Sequence, residues 1–166
     1  MTVEDVPGCL ACDLTRGRRE APGGRIYATE HLVVDHCIGP LGVGTLIVKP
    51  LRHCLHVWEL TEDEAAELGP LLRRATATIS EILHPDQVYV CLWSFLGWVP
   101  GHIHFVLQPA WTDMQQRYEH PGPCLQRDMI HSNELPPRDE VEAFAERARE
   151  VIQSLGRDGP ALDSKT

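Results

Sequence analysis

The chain has 166 residues and a formal net charge of −9, and 43% of its residues are hydrophobic. This length and composition predict one globular domain with a sizeable core, and the acidic balance without a basic block argues against binding of long nucleic acid. No apolar run is long enough for a membrane span, and the N-terminus lacks a signal-peptide pattern. We therefore expect a cytoplasmic protein whose six cysteines are thiols or metal ligands rather than disulfides.

The first motif is Cys9-Leu10-Ala11-Cys12. Two cysteines separated by two residues can supply half of a four-ligand zinc site. A redox pair of the same spacing is expected at the start of a helix that follows a strand, whereas only a short acidic leader precedes this one. The motif therefore favours metal binding, and two unrelated packed cysteines are the alternative.

Apolar segments bounded by turn residues predict four strands in the first part of the chain. These segments are residues 25–29, 31–37, 45–48 and 87–93. Between the last two, Thr61-Glu62-Asp63-Glu64 has the form of a capping box. The apolar residues behind it recur at three- and four-residue steps and predict the main helix. Pro70 lies inside this pattern and is expected to kink or split the helix.

The segment from Gly97 to Pro109 predicts a fifth strand that follows a loop containing glycine and proline. His102 and His104 alternate with apolar residues, which places both imidazoles on one face of the predicted strand. A structural zinc often has two cysteine and two histidine ligands. Candidates for the two histidines are His53 and His102, with His56 and His104 as rivals.

The remainder of the chain predicts helical structure outside the sheet. Residues 110–138 contain several prolines and scattered apolar anchors, which predict irregular or short helical structure. From Asp139 onward, apolar residues at helical spacing predict an amphipathic C-terminal helix. We expect a single domain over residues 1–155, which divides into a core at about 9–109, an extension at 110–155 and a flexible tail at 156–166.

Several segments resemble the histidine triad (HIT) family, in the same order along the chain. Residues 44–53 align without a gap on Gly-His-Thr-Leu-Val-Ile-Pro-Lys-Arg-His, and Cys37-Ile38-Gly39-Pro40 aligns on Asp-Ile-x-Pro. Residues 102–109 resemble the triad His-φ-His-φ-His-φ-φ-Pro, and Gly97 matches the glycine five residues ahead of it. With the Cys-x-x-Cys motif, the resemblance extends from about residue 9 to residue 109.

This resemblance implies an α+β, HIT-like fold with a five-stranded antiparallel sheet and a main helix after the third strand. The predicted C-terminal helix is an addition to this fold. It implies hydrolysis or transfer at a nucleotide α-phosphate through a nucleophilic histidine, which corresponds to His104. In zinc-bearing members the ligands correspond to Cys9, Cys12, His53 and His102. We therefore expect a zinc cofactor, a small nucleotide or other phosphate-containing substrate, and, as in many members, a homodimer.

The expected substrate site departs from the family pattern. Val106 replaces the third triad histidine, Cys37 replaces the aspartate that holds the ribose hydroxyls, and Trp98 and Val99 replace a Gln-Ser pair. Backbone N–H groups of residues 98–101 remain able to form an anion-binding nest. The candidate substrate-binding residues are Cys37, Ser94, Gly97, Trp98, Val99, Gly101 and Val106.

These departures leave three functional hypotheses. The first is a zinc-stabilised hydrolase or nucleotidyltransferase that uses His104. The second is a HIT-like binding or regulatory protein whose catalysis has decayed. The third is an enzyme with a catalytic zinc that has three protein ligands and an open position for water. The other histidines are expected on the surface or in loops, and they are His31, His36, His84, His120 and His131.

Overall fold

The computed structural model describes residues 5–92 and 100–157. In chain order its elements are α1 (Leu10–Thr15), β1 (Arg25–Ala28), β2 (Leu32–His36), β3 (Leu46–Pro50), a 3₁₀ turn (Val57–Glu59), α2 (Glu62–Leu83), β4 (Gln87–Leu92), β5 (Phe105–Ala110), α3 (Thr112–Tyr118), α4 (Gly122–Ser132) and α5 (Arg138–Arg157). Among the described residues, none of the helices has the length and apolar character that a membrane span requires.

The five strands form one antiparallel sheet in the order β1-β2-β3-β5-β4. The main helix α2 follows the third strand, and α5 is the additional C-terminal helix. The predicted α+β architecture is therefore confirmed. In the centre of the sheet, β3 pairs with β5, so that Ile47 lies opposite Val106 and Val48 lies opposite Phe105.

Each face of the sheet packs against helices of this chain. The first face carries the main hydrophobic cluster, in which residues of β1, β2, β3 and β5 pack with α2 and α5. The opposite face carries a second cluster, which joins Val106 and Ala110 of β5 to Leu125 and Met129 of α4. The segment after residue 110 therefore covers both faces of the sheet.

The helix α2 begins at its predicted capping box. The Thr61 hydroxyl accepts a hydrogen bond from the Glu64 N–H at 3.2 Å, and the Glu64 carboxylate accepts one from the Thr61 N–H at 2.8 Å. The helix continues through Pro70 without a break, so of the two expected outcomes, a kink or a split, the split does not occur. Pro70 and Ala66 are both exposed, so water can hydrate the carbonyl group that loses its intrahelical donor.

Two other local differences arise from tertiary contacts. The strand β5 begins at Phe105 rather than at His102, because the Ile103 N–H donates to the Cys54 carbonyl at 2.9 Å instead of extending the ladder. His36 is buried on β2 rather than exposed, and its ring lies edge-on to Phe144. The short helix α1, which no sequence pattern predicted, carries Cys12. Trp93 and the predicted tail beyond residue 157 lie outside the described residues.

Candidate functional site

Four predicted ligands from three segments of the chain meet in one cluster. Cys9 and Cys12 come from the N-cap and the body of α1, His53 comes from the loop after β3, and His102 precedes β5. One donor atom from each side chain lies within 4.8 Å of all the others. Antiparallel pairing of β3 with β5 brings the two histidine-bearing segments together, and α1 then adds both thiols.

The distances within this cluster match those of a tetrahedral metal site. Cys12 Sγ lies 3.4 Å from His53 Nδ1 and 3.7 Å from His102 Nδ1, and Cys9 Sγ lies 3.7 Å from His102 Nδ1. Zinc–sulfur and zinc–nitrogen bonds of usual length in a tetrahedron separate sulfur from nitrogen by about 3.6 Å. Two thiols and two imidazoles at this spacing fit a structural zinc. The rival His56 instead stacks on Trp58, with ring centroids 4.2 Å apart.

The surroundings of His102 prepare it to act as a neutral ligand. Its Nε2–H donates to the Pro50 carbonyl at 3.1 Å, which leaves the Nδ1 lone pair to face the cluster. Burial lowers the pKa of His102 to about 4, so the ring is neutral at pH 7. Burial raises the pKa of Cys12 to about 11, and a bound dication opposes this effect because it stabilises a thiolate.

A partly buried ion pair holds the loop that carries His53. Arg52 donates from Nε and Nη2 to the two carboxylate oxygens of Glu64, at 2.7 and 2.8 Å. Glu64 is 4% exposed and also caps α2. This bidentate pair is a specific geometry, and it fixes the residue next to His53 against the start of the main helix.

His104 lies beside the cluster and has the properties of a neutral nucleophile. Its Nδ1–H donates to the His102 carbonyl at 3.0 Å, so Nε2 is the nitrogen that keeps the lone pair. Burial, opposed in part by this hydrogen bond, lowers the pKa of His104, and the positive charge of Lys49 lowers it further. The side chain is half-buried. A neutral imidazole with a fixed tautomer can attack phosphorus.

The candidate substrate-binding residues that the structure describes are mostly apolar and packed. Cys37 and Val106 are 9% and 3% exposed, and both belong to the second hydrophobic cluster, beneath Leu125 and Met129 of α4. Gly101 is half-buried and immediately precedes His102. The other four candidates lie outside the described residues, and they are Ser94, Gly97, Trp98 and Val99.

An ion pair that no sequence pattern predicted lies on the face of the sheet that carries the second hydrophobic cluster. Lys49 and Asp35 are 2% and 3% exposed, and the Lys49 ammonium donates to the Asp35 carboxylate. The sequence does carry a sign of this pair, because Asp35 and Lys49 each interrupt an apolar strand and the two strands follow one another along the chain. A groove of about 910 Å³ lies between α5 and residues 14–25, and its lining includes neither His104 nor the four clustered residues.

Known proteins with the same architecture were found by sequence and by structure. No family model matches the sequence. An uncharacterised HIT-like protein of Saccharolobus solfataricus is 21% identical over 146 residues, which are 87% of this chain and 94% of the relative. A hypothetical histidine triad nucleotide-binding protein from Sulfolobus tokodaii superposes with a TM-score of 0.67 at 21% identity, over 95% of this chain and 99% of the other.

Two further solved structures share this arrangement. A zinc-bound histidine triad family protein from Mycobacterium smegmatis superposes with a TM-score of 0.65 at 20% identity, over 91% of this chain and 97% of the other. A HIT-like protein from Bartonella henselae, described as involved in cell-cycle regulation, gives a TM-score of 0.63 at 14% identity, over 89% and 98% of the two chains. The chain therefore has the histidine triad-like (HIT-like) fold that its motifs predicted.

Proposed function

We propose that this protein is a zinc-stabilised HIT-like hydrolase or nucleotidyltransferase that acts at a nucleotide α-phosphate through His104. The observation that carries the proposal is the hydrogen bond from His104 Nδ1–H to the His102 carbonyl, which leaves Nε2 as the basic nitrogen. Two comparisons support it, since one structural neighbour is described as zinc-bound and another as nucleotide-binding.

Zinc held by Cys9, Cys12, His53 and His102 would have a structural role. Four protein donors fill a tetrahedral shell and leave no open position for water, so this donor set argues against a catalytic zinc. The metal would tie α1 and the loop after β3 to the segment that carries His104. Structural zinc sites supply about 10–16 kcal/mol of folding free energy, so the loss of a ligand should affect the fold before the chemistry.

The proposed reaction uses side chains of this chain. The lone pair of His104 Nε2 forms a bond to phosphorus while the bond from phosphorus to the leaving group breaks. Water, or another acceptor hydroxyl, then forms a bond to phosphorus while the nitrogen–phosphorus bond breaks. The acceptor releases its proton to solvent, and His104 returns to its neutral form. Val106 carries no proton to donate. Substrates whose leaving group departs as an anion, such as a phosphate, are therefore favoured over those that release an amine.

A HIT-like binding or regulatory protein is the second candidate. It is favoured by the packing of Cys37 and Val106 beneath α4, because these positions then offer no polar contact to a ribose or a phosphate. Such a protein would retain the zinc cluster and the fold but would not form a covalent adduct on His104.

A homodimer through the edge strand β4 is part of the proposal. Within residues 5–92 and 100–157, β4 is the last strand of the sheet and pairs on one side only, with β5. Val90 and Leu92 on this strand are 46% and 39% exposed, and exposed apolar edge strands are prone to pair with a second chain. Light scattering during gel filtration should show a dimer for the wild type and a monomer after Val90→Lys.

The experiment that tests the catalytic proposal compares zinc-loaded wild type with His104→Ala. Both are supplied with a dinucleotide polyphosphate, a nucleotide sugar and a nucleoside phosphoramidate, and the quenched protein is examined by mass spectrometry for a nucleotidyl adduct. We expect turnover and an adduct only with His104 present. His131→Ala, which removes an exposed histidine on α4, is the matched control. Turnover that survives His104→Ala would refute the nucleophile, and no turnover and no adduct in wild type would favour the binding protein.

A further inference from the structure

A buried cation lies on the face of the sheet that carries the second hydrophobic cluster. Along β3, Leu46 and Val48 point into the main cluster, whereas Ile47 packs against the second one. Side chains alternate along a strand, so Lys49 shares the face of Ile47. Its ion pair with Asp35 of β2 lies on that face, together with Cys37 and Val106.

The ammonium group of Lys49 has more donors than partners. A lysine ammonium carries three N–H donors. Within residues 5–92 and 100–157, the one partner found for Lys49 is the Asp35 carboxylate. At 2% exposure, two N–H donors thus have no protein acceptor in the described part of the chain. Because buried polar groups are nearly always hydrogen-bonded, this arrangement is suited to a further anion.

Lys49 is also close to His104. In the β3–β5 ladder, Val48 lies opposite Phe105. Lys49 is the next residue along β3, and His104 is the residue immediately before Phe105. Lys49 and His104 therefore flank the last pair of this ladder on adjacent segments. The influence of the Lys49 charge on His104 agrees with this proximity.

We propose that Lys49 binds the anionic group of the substrate, a phosphoryl group or a similar tetrahedral oxyanion, beside His104. This inference rests on the proposed role of His104 and adds the cationic contact that Val106 cannot supply. The Asp35 carboxylate occupies one donor and holds the ammonium in place, while the two remaining donors face the oxyanion. Such charge-assisted hydrogen bonds are stronger than neutral ones.

Inorganic phosphate is the probe that tests this proposal. Zinc-loaded wild type labelled with ¹⁵N in its lysine and histidine side chains is titrated with phosphate. The Lys49 ammonium and His104 ring resonances should shift together with one dissociation constant. In Lys49→Met/Asp35→Asn, which removes both charges, the affinity should fall about 10- to 100-fold, as expected for loss of a hydrogen bond to a charged group.

Arg117→Ala is the matched control, because Arg117 is a cation on α3 with a side chain that is 62% exposed. Its phosphate affinity should equal that of wild type. The proposal is overturned if wild type shows no shift at Lys49, which is a readout that needs no variant to fold. A folded, zinc-loaded double variant that binds phosphate as wild type does also overturns it.

The outcomes separate this proposal from the proposed function. Lys49-dependent phosphate binding in a protein that turns over no nucleotide and forms no adduct supports the anion site and refutes catalysis by His104. Turnover that needs His104 but is unchanged in kcat/KM by Lys49→Met/Asp35→Asn supports the nucleophile and refutes the role of Lys49.

Discussion

Replacement of Lys49 by methionine should lower the free energy of unfolding by about 3–5 kcal/mol, the usual cost of removing one partner from a buried ion pair. The two charged residues are 2% and 3% exposed, so water replaces little of the missing charge interaction. Arg25 Nε lies 4.0 Å from the Asp35 carboxylate, and its side chain is 42% exposed, so it compensates only in part. Asp35→Asn should cost a similar amount, because it leaves the ammonium buried without its anion.

The double variant Lys49→Met/Asp35→Asn should be more stable than the two single effects predict. It removes both buried charges and leaves one amide to satisfy, which costs about 1–3 kcal/mol. The coupling energy should therefore be at least about 3 kcal/mol, at the upper end for residues in contact. Urea unfolding of zinc-saturated protein, followed by circular dichroism, measures it. The exposed pair Arg117 and Glu134, treated in the same way, should show little coupling. Additive effects at the buried pair would refute the reasoning.

Three further predictions concern packing in and beside the two hydrophobic clusters. Gly44→Ala should lower the free energy of unfolding in urea by about 2–5 kcal/mol, because Gly44 has φ +83° and an added methyl would lie 2.2 Å from a leucine carbon. The control is Gly156→Ala in α5, where the added methyl would meet only the movable end of an arginine side chain. Equal effects of the two substitutions would contradict this prediction. Burial lowers the pKa of His36, so the unfolded state takes up the proton first and stability should fall as pH drops below about 6.5. The variant His36→Gln should lack this part of the pH dependence of the unfolding free energy. A pH dependence equal to that of wild type would count against the prediction. Leu125→Ala should lower the free energy of unfolding by about 2–5 kcal/mol, because Leu125 is fully buried, whereas Leu135→Ala, at 65% exposure, should leave it unchanged. The reverse order would contradict the packing of α4 on the second cluster.

Sequence patterns predicted those strands and helices that bury one face, because a single buried face imposes a regular spacing of apolar residues. The strands and α2 follow from alternation, apolar spacing and the capping box at Thr61, since each signal lies within one segment of the chain. Cys9, Cys12, His53 and His102 could be chosen as ligands because the resemblance to the HIT family supplied their correspondence. Spacing alone left His56 and His104 as rivals, and the three-dimensional pairing of β3 with β5 separates them.

The features that sequence analysis missed depend on contacts between distant segments. The burial of His36 depends on hydrogen bonds from its ring to the Cys37 carbonyl and from the Gly44 N–H to its ring, at 2.7 and 3.0 Å. The Asp35–Lys49 pair forms only when β2 and β3 are adjacent in the correct register. A charged residue inside an apolar strand is the local sign of such a pair, but its partner is visible only in the folded chain.

The most direct test of the account is the zinc content of purified protein, measured by inductively coupled plasma mass spectrometry with far-ultraviolet circular dichroism on the same samples. Wild type, His104→Ala and His56→Ala should each hold one zinc per chain and keep their secondary structure. His102→Ala and Cys12→Ser should lose the metal and much of the fold. Zinc that is absent from wild type, or retained after His102→Ala, would contradict both the metal centre and the position of His104 beside it.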